Sequence, residues 1–199
     1  MRVVVLLHGL GRGPAAMRPL ERRLRAAGFG TSNLGYPSRS GDTDALIARL
    51  APQMPVAGQV DFVGHSLGGV LAKHLARRLP AKRRGRIVQI GAPNAGSELA
   101  ARMAPLAPVL GPVLEELEPK PAPDDSDLEI GAIAGTAAWP IYGVLTGIEG
   151  ANDGKVSLES AWGDLPPDRR IRFPVAHSLM MFDDRVLRAT VRFLVAGRF

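Results

Sequence analysis

A chain of 199 residues fits one domain with a substantial core, and 46% hydrophobic against 22% charged residues speaks against an extended disordered chain. With no cysteine, disulfides, thiolate metal sites and a cysteine nucleophile are excluded. The formal charge of +6 sets up a field that attracts anionic substrates or surfaces without identifying one, while 5% aromatics and no zinc-finger or basic-leucine-zipper spacing speak against a nucleic-acid partner.

In chain order, Val3-Val4-Val5-Leu6-Leu7 is apolar and β-branched at its start, as suits a parallel strand buried on both faces. It is too short for a secretory core and is broken by His8-Gly9-Leu10-Gly11-Arg12-Gly13-Pro14. No run of about 20 apolar residues follows, so a cytoplasmic location without a transmembrane segment is expected. Met17, Leu20, Leu24 and Ala27 recur at helical spacing before Gly28, and Phe29 to Leu34 reads as a strand. Leu46, Ile47 and Leu50 lie on a second helix, then Val60 to Gly64 forms a strand. Leu67, Val70, Leu71, Leu75 and Leu79 mark a helix face closed by Pro80, and Arg86 to Ile90 returns to strand character. The basic run Lys82-Arg83-Arg84-Gly85-Arg86 reads as a solvated connection between the two.

The stretch 92–150 is less regular. Leu99, Met103, Leu106, Val109, Leu110, Val113, Leu114 and Leu117 are interrupted by Pro105, Pro108 and Pro112, which rules against one continuous helix. Short helices or a lid-like covering insertion fit, with Ile130 to Ala134 as a further strand. An acyl- or lipid-facing rim and a plain cover for the sheet explain its apolar residues equally. Arg170 to Val175 offers a last strand, and Asp183-Asp184 cap a terminal helix carrying Val186, Leu187, Val191, Leu194 and Val195. Alternating strands and helices predict one α/β domain over 1–199, a mainly parallel sheet of about six strands with helices on both faces.

The sharpest local signal is Gly64-His65-Ser66-Leu67-Gly68-Gly69, a Gly-x-Ser-x-Gly set between a strand and a helix. Small flanking residues let the chain turn sharply and put Ser66 at the tip as a candidate nucleophile. A serine hydroxyl needs a base, and there are only four histidines. His65 adjoins Ser66 in the turn and is poorly placed to serve as base. His74 falls on the helix, where a surface or partly packed position explains it. His8, beside the first strand, is expected to support an oxyanion loop. His177 follows the last strand and precedes the final helix, which returns an imidazole over the carboxyl edge of the sheet; packing or capping is the competing role.

Asp153, in Asn152-Asp153-Gly154-Lys155-Val156, is the leading acid, with an ordinary Asx turn as its competitor. Asp124, Asp125 and Asp127 fit a solvent-exposed loop, and Glu159 is the reserve. The backbone N–H groups of Leu67 and Leu10 are the natural oxyanion donors, with Gly11 as fallback. No spacing matches a calcium, zinc or magnesium site.

These segments, with Ile90-Gly91-Ala92-Pro93-Asn94-Ala95-Gly96-Ser97 and Val175-Ala176-His177-Ser178, resemble the α/β-hydrolase family, especially its small bacterial lipases and esterases. Many lipase-like members carry Gly-Thr-Pro-His-x-Gly where Ala92 and Asn94 stand here. The resemblance implies a Ser66–Asp153–His177 triad, oxyanion donors at Leu10 and Leu67, and a segment 92–97 beside the site that shapes an acyl pocket. Related lipases often hold calcium near the catalytic histidine, but its ligands have no residue-by-residue match, and no cofactor or metal is expected. The expected activity is carboxylic-ester hydrolysis on a small ester or lipid-like substrate, with a transient lipid interface as a further partner. Amide or thioester hydrolysis and a non-enzymatic binding role on the same scaffold are the alternatives.

Overall fold

A computed structural model describes residues 2–97, 100–101, 112, 125–138 and 148–199. Six strands, β1 (Arg2–Leu7), β2 (Gly30–Leu34), β3 (Gln59–His65), β4 (Arg84–Ile90), β5 (Ile130–Gly135) and β6 (Arg170–Phe173), make one sheet in the order β2-β1-β3-β4-β5-β6. Every pair is parallel. The expected sheet is therefore present.

Its interior strands are apolar on both faces because both faces are covered. Val5, Leu7, Phe62, Ile87 and Ile130 join one core, while Val4, Leu6, Val63, Val88 and Ile133 join the other. Such alternation is the two-residue period of a strand buried on both sides. Helices α2 (Thr43–Leu50) and α3 (Leu67–Arg78) pack on the first face, α1 (Arg18–Ala26) and α5 (Asp184–Ala196) on the second. The short α4 (Leu158–Trp162) packs against β5 through Ala134, Val156 and Ala161.

Helix ends follow local chemistry. Asp42 caps α2 by accepting from Ala45 N–H at 2.8 Å, and Asp183 caps α5 by accepting from Arg185 and Val186 N–H. Ala27, expected on the buried face of the first helix, lies just beyond α1 and is exposed.

Chain direction across the sheet places the crevice. The chain steps from β1 outward to β2, then back across β1 to β3. Right-handed crossovers therefore put α1 and α2 on opposite faces. The loops leaving β1 and β3 part at this reversal, and ligands of open α/β sheets bind at such a switch point beyond the carboxyl ends of the strands.

Two expectations change. Arg83, Arg84 and Arg86 of the basic run do not simply face solvent. Arg83 binds the carbonyls of Gly58 and Pro55, Arg84 binds Leu79 O and Asp127, and Arg86 binds Glu129 and the carbonyls of Leu194 and Val195. Likewise Asp125 accepts from Lys73 and Arg77, each at 2.7 Å, and Asp127 from Arg77 and Arg84, each at 3.1 Å. Buried Lys73 requires such a partner, because an unpaired buried ammonium is costly. Within 92–150, β5 is an inner strand of the sheet; Asp124 and the apolar run from Leu99 to Leu117 lie outside the described residues. No helix among the described residues is long and apolar enough to cross a membrane.

Candidate active site

Ser66 stands between the end of β3 and the start of α3 with φ 55° and ψ −124°. It is the one non-glycine with positive φ among the described residues. A backbone state of this kind costs about 1–3 kcal/mol and persists only where its surroundings enforce it. Here the enforcement is steric. A Cβ on Gly64 would stand 2.2 Å from the Gly68 carbonyl, and one on Gly68 would stand 2.2 Å from Leu7 O. One on Gly69 would meet the Ala92 Cβ at 2.6 Å. The glycines thus let α3 start directly against β1 and β3, which turns Ser66 outward. Its Oγ makes no hydrogen bond to a described residue, whereas its N–H donates to Ile90 O at 2.9 Å.

His177 opens a single-turn segment, His177–Phe182, after β6. Its Nδ1 lies 2.7 Å from Asp153 Oδ2, with both side chains almost fully buried. A carboxylate only accepts, so Nδ1 carries the proton and Nε2 keeps its lone pair. Asp153 also builds the Asx turn: Oδ1 accepts from Lys155 N–H at 3.0 Å and Val156 N–H at 2.9 Å. The turn and the histidine contact use different oxygens, so the Asx turn does not compete with the bond to His177. The backbone doubles the link, His177 N–H donating to Asp153 O at 2.9 Å. Gly91, at φ 58°, runs beneath the pair; a Cβ there would come within 3.2 Å of both Asp153 Oδ2 and His177 Nδ1.

His65 is the residue whose role the sequence did not reveal. Its ring lies 4.8 Å from that of His177, and its Nε2 is 3.1 Å from His177 O. A carbonyl accepts, so His65 Nε2 donates and braces the backbone of the other histidine. Burial, then electrostatic coupling to the His177 ring and the positive charge of Lys155 and Arg12, holds its pKa well below the ordinary value of 6.5. Burial therefore favours the neutral ring, with its proton on Nε2 for this bond. Adjacency in sequence ruled out a base; only the fold brings it to His177.

The loop after β1 is pinned from several sides. His8 is fully buried, donates from Nδ1 to Gly9 O at 3.0 Å and stacks on Tyr36 at 4.1 Å, while the Tyr36 hydroxyl donates to His8 O. Gly11 N–H donates to Ser38 Oγ at 3.0 Å, so the fallback oxyanion donor is already engaged. Leu10 N–H makes no hydrogen bond to a described residue. Leu67 N–H is one of the orphan donors at the start of α3. Gly9 brings the loop against the elbow: a Cβ there would lie 3.2 Å from Ser66 Cβ.

Two side chains of segment 92–97 are committed to bonds with neighbouring elements. Asn94 donates to Gln89 Oε1 at 2.8 Å and Ala161 O at 2.9 Å, tying β4 to α4 and facing a separate cavity of about 510 Å³ beside Trp162 and Leu165. Ser97 donates to Lys155 O at 2.9 Å, so the segment steadies the Asp153 turn. Glu159 is exposed on α4, and His74 is exposed on α3. Among the described residues, no group of three or more acidic or histidine side chains is arranged to hold a metal ion.

No protein-family model and no curated protein sequence matches the chain. Solved structures do. The mature Bacillus licheniformis lipase BlEst2 superposes with a TM-score of 0.73 at 18% identity, over 98% of this chain and 91% of that one. A pyrethroid hydrolase from Sphingobium faniae gives 0.62 at 16% identity, over 98% of both chains. The metagenomic carboxyl esterase MGS0156 gives 0.63 at 20% identity, over 89% of this chain and 64% of that one. With six parallel strands, helices on both faces and a strained serine between β3 and α3, the chain has the α/β-hydrolase fold.

Proposed function

We propose that the protein is a serine carboxylic-ester hydrolase with Ser66 as nucleophile, His177 as general base and Asp153 as the acid that orients it. The observations that carry this reading are the strained Ser66 at the turn between β3 and α3 and a buried histidine whose Nδ1 is committed to a carboxylate at 2.7 Å.

Ser66 Oγ attacks the ester carbonyl as His177 Nε2 takes its proton, while the Nδ1–H stays on the imidazole and Asp153 stabilises the resulting imidazolium. The negative oxygen of the tetrahedral intermediate is held by Leu10 and Leu67 N–H. Collapse expels the alcohol, which takes the proton back from His177 and leaves an acyl-serine. Water, deprotonated by His177, then attacks the acyl carbon and releases the acid and free Ser66. Proton and charge return to their starting places, with no redox step. The Ser66–His177 hydrogen bond, open here, forms as substrate docks, as often happens with catalytic hydrogen bonds.

The test is labelling with a serine-directed fluorophosphonate beside turnover of short-chain esters. Wild-type protein is expected to be labelled and Ser66→Ala to lose both labelling and turnover, the latter by about 10⁶-fold by analogy with other serine hydrolases. Ester turnover surviving undiminished in Ser66→Ala overturns the assignment.

A further inference from the structure

Three cationic residues stand on or against the loops that carry Leu10 and Asp153. Arg12 follows the loop that carries Leu10, and its own N–H donates to Gly9 O at 3.2 Å. The Arg39 guanidinium lies over Gly11, with Nη2 2.9 Å from where a Cβ there would stand. Lys155 follows Asp153 by two residues, and its N–H anchors the catalytic carboxylate. None of the three side chains makes an ion pair or hydrogen bond with a described residue.

The unpaired group is also held together against its own repulsion. Partial desolvation and the charge of Arg12 lower the pKa of Lys155, with Asp153 as the opposing carboxylate, and Arg12 and Lys155 both press on His65. Asp153 is shared with His177 and two backbone amides, so it offsets these cations only in part. Like charges brought near one another repel and favour an anion bound between them.

We propose that Arg12 and Lys155, with Arg39 behind Arg12, form the binding site for an anionic group carried by the ester itself, a carboxylate or a phosphate a few bonds from the scissile carbonyl. The inference rests on the esterase reading and sharpens it from esters in general to acidic esters. The cations attract the substrate during approach and hold it in register with Ser66.

Two matched pairs of substrates test it and separate the sources of charge. Monoethyl adipate against ethyl hexanoate places a carboxylate at the end of the acyl chain; 2-(butanoyloxy)ethyl phosphate against 2-hydroxyethyl butanoate places a phosphate on the alcohol. In at least one pair, kcat/KM for the anion is expected to exceed that for its neutral partner by about tenfold at low salt. That ratio shrinks at about 0.5 M salt, and Lys155→Met or Arg12→Met, both exposed side chains, brings it towards one. A wild-type ratio at or below one in both pairs, with Ser66 still labelled by fluorophosphonate, overturns this inference and leaves the esterase reading standing. So does a preference that survives both substitutions. Loss of Ser66 labelling in folded wild-type protein overturns both.

Discussion

Between Gly64 and Gly69 the chain is placed by contact, whereas at Asp153 and His177 it is placed by hydrogen bonds. On the elbow side, backbone packs on backbone so closely that a single methyl group at residue 64 or 68 would sit 2.2 Å from another main chain. On the other side, one carboxylate serves a ring nitrogen and two amides, a backbone bond repeats the link, and a second histidine holds the carbonyl of the first. A steric device fails as a fold; a hydrogen-bonded one fails as chemistry, often with the fold intact.

Asp153→Asn breaks the second region while leaving its shape. The asparagine oxygen still accepts from Lys155 and Val156 N–H, but the side-chain NH₂ now faces His177 Nδ1 and can only donate. His177 is driven to the wrong tautomer, with its proton on Nε2 where the lone pair is needed. Ester turnover is expected to fall by about 10⁴-fold, with unfolding free energy changed by about 1–2 kcal/mol. Steady-state kinetics and urea unfolding on the same preparation read both quantities. A variant that unfolds outright, or that keeps most of its turnover, removes the distinction.

Gly68→Ala breaks the first region the opposite way. The new methyl meets Leu7 O at 2.2 Å, a backbone atom inside the sheet that has nowhere to move. A loss of about 4 kcal/mol or more is expected, the range reserved for core overpacking and backbone clash. Gly13→Ala is the control, since nothing lies within 4 Å of its Cβ position and its φ of −142° suits any residue. It is expected to shift stability by no more than about 0.5 kcal/mol. Equal effects from the two alanines would show that the elbow is not sterically set.

The same contrast explains what was legible in the sequence. Contact leaves a residue-type signature: only glycine fits at 64, 68 and 69, and Val4 to Leu7 must be apolar on both sides, so elbow and sheet could be read directly. That Asp153 and His177 meet was expected from their order after the last strands, and they lie 2.7 Å apart. Hydrogen-bonded supports leave little trace, since a donor and an acceptor are found on most polar residues. Nothing in Gly64-His65-Ser66 says that the His65 ring donates to a carbonyl 112 positions on. Nor does spacing show that Asn94 turns away towards Gln89 and α4, or that Asp125 and Asp127, read as solvent-exposed, answer Lys73, Arg77 and Arg84. Those partners are distant in sequence and meet only once the sheet has formed.

His65 offers the finest probe of the hydrogen-bonded region, because burial opposes its protonation while its Nε2–H donates to His177 O. Burial first, and then nearby positive charge, lowers its folded-state pKa well below the value of 6.5 that it has when unfolded. Above about pH 6.5 both states hold the ring neutral, and stability is independent of this group. As pH falls below that value the unfolded chain takes up a proton that the folded one refuses, so stability is lost, by up to about 1.4 kcal/mol per pH unit until the folded ring also titrates. His8, its pKa lowered by burial as well, adds loss of the same sign. Urea unfolding between pH 7.5 and 5.5 should therefore show a falling midpoint. In His65→Gln the slope should shrink by one histidine's share, while the amide NH₂ still donates to His177 O and preserves turnover; His65→Leu shrinks the slope equally but lowers kcat. If the glutamine and leucine variants turn over alike, the bond to His177 O does not position the base, and the hydrogen-bonded region rests on Asp153 alone.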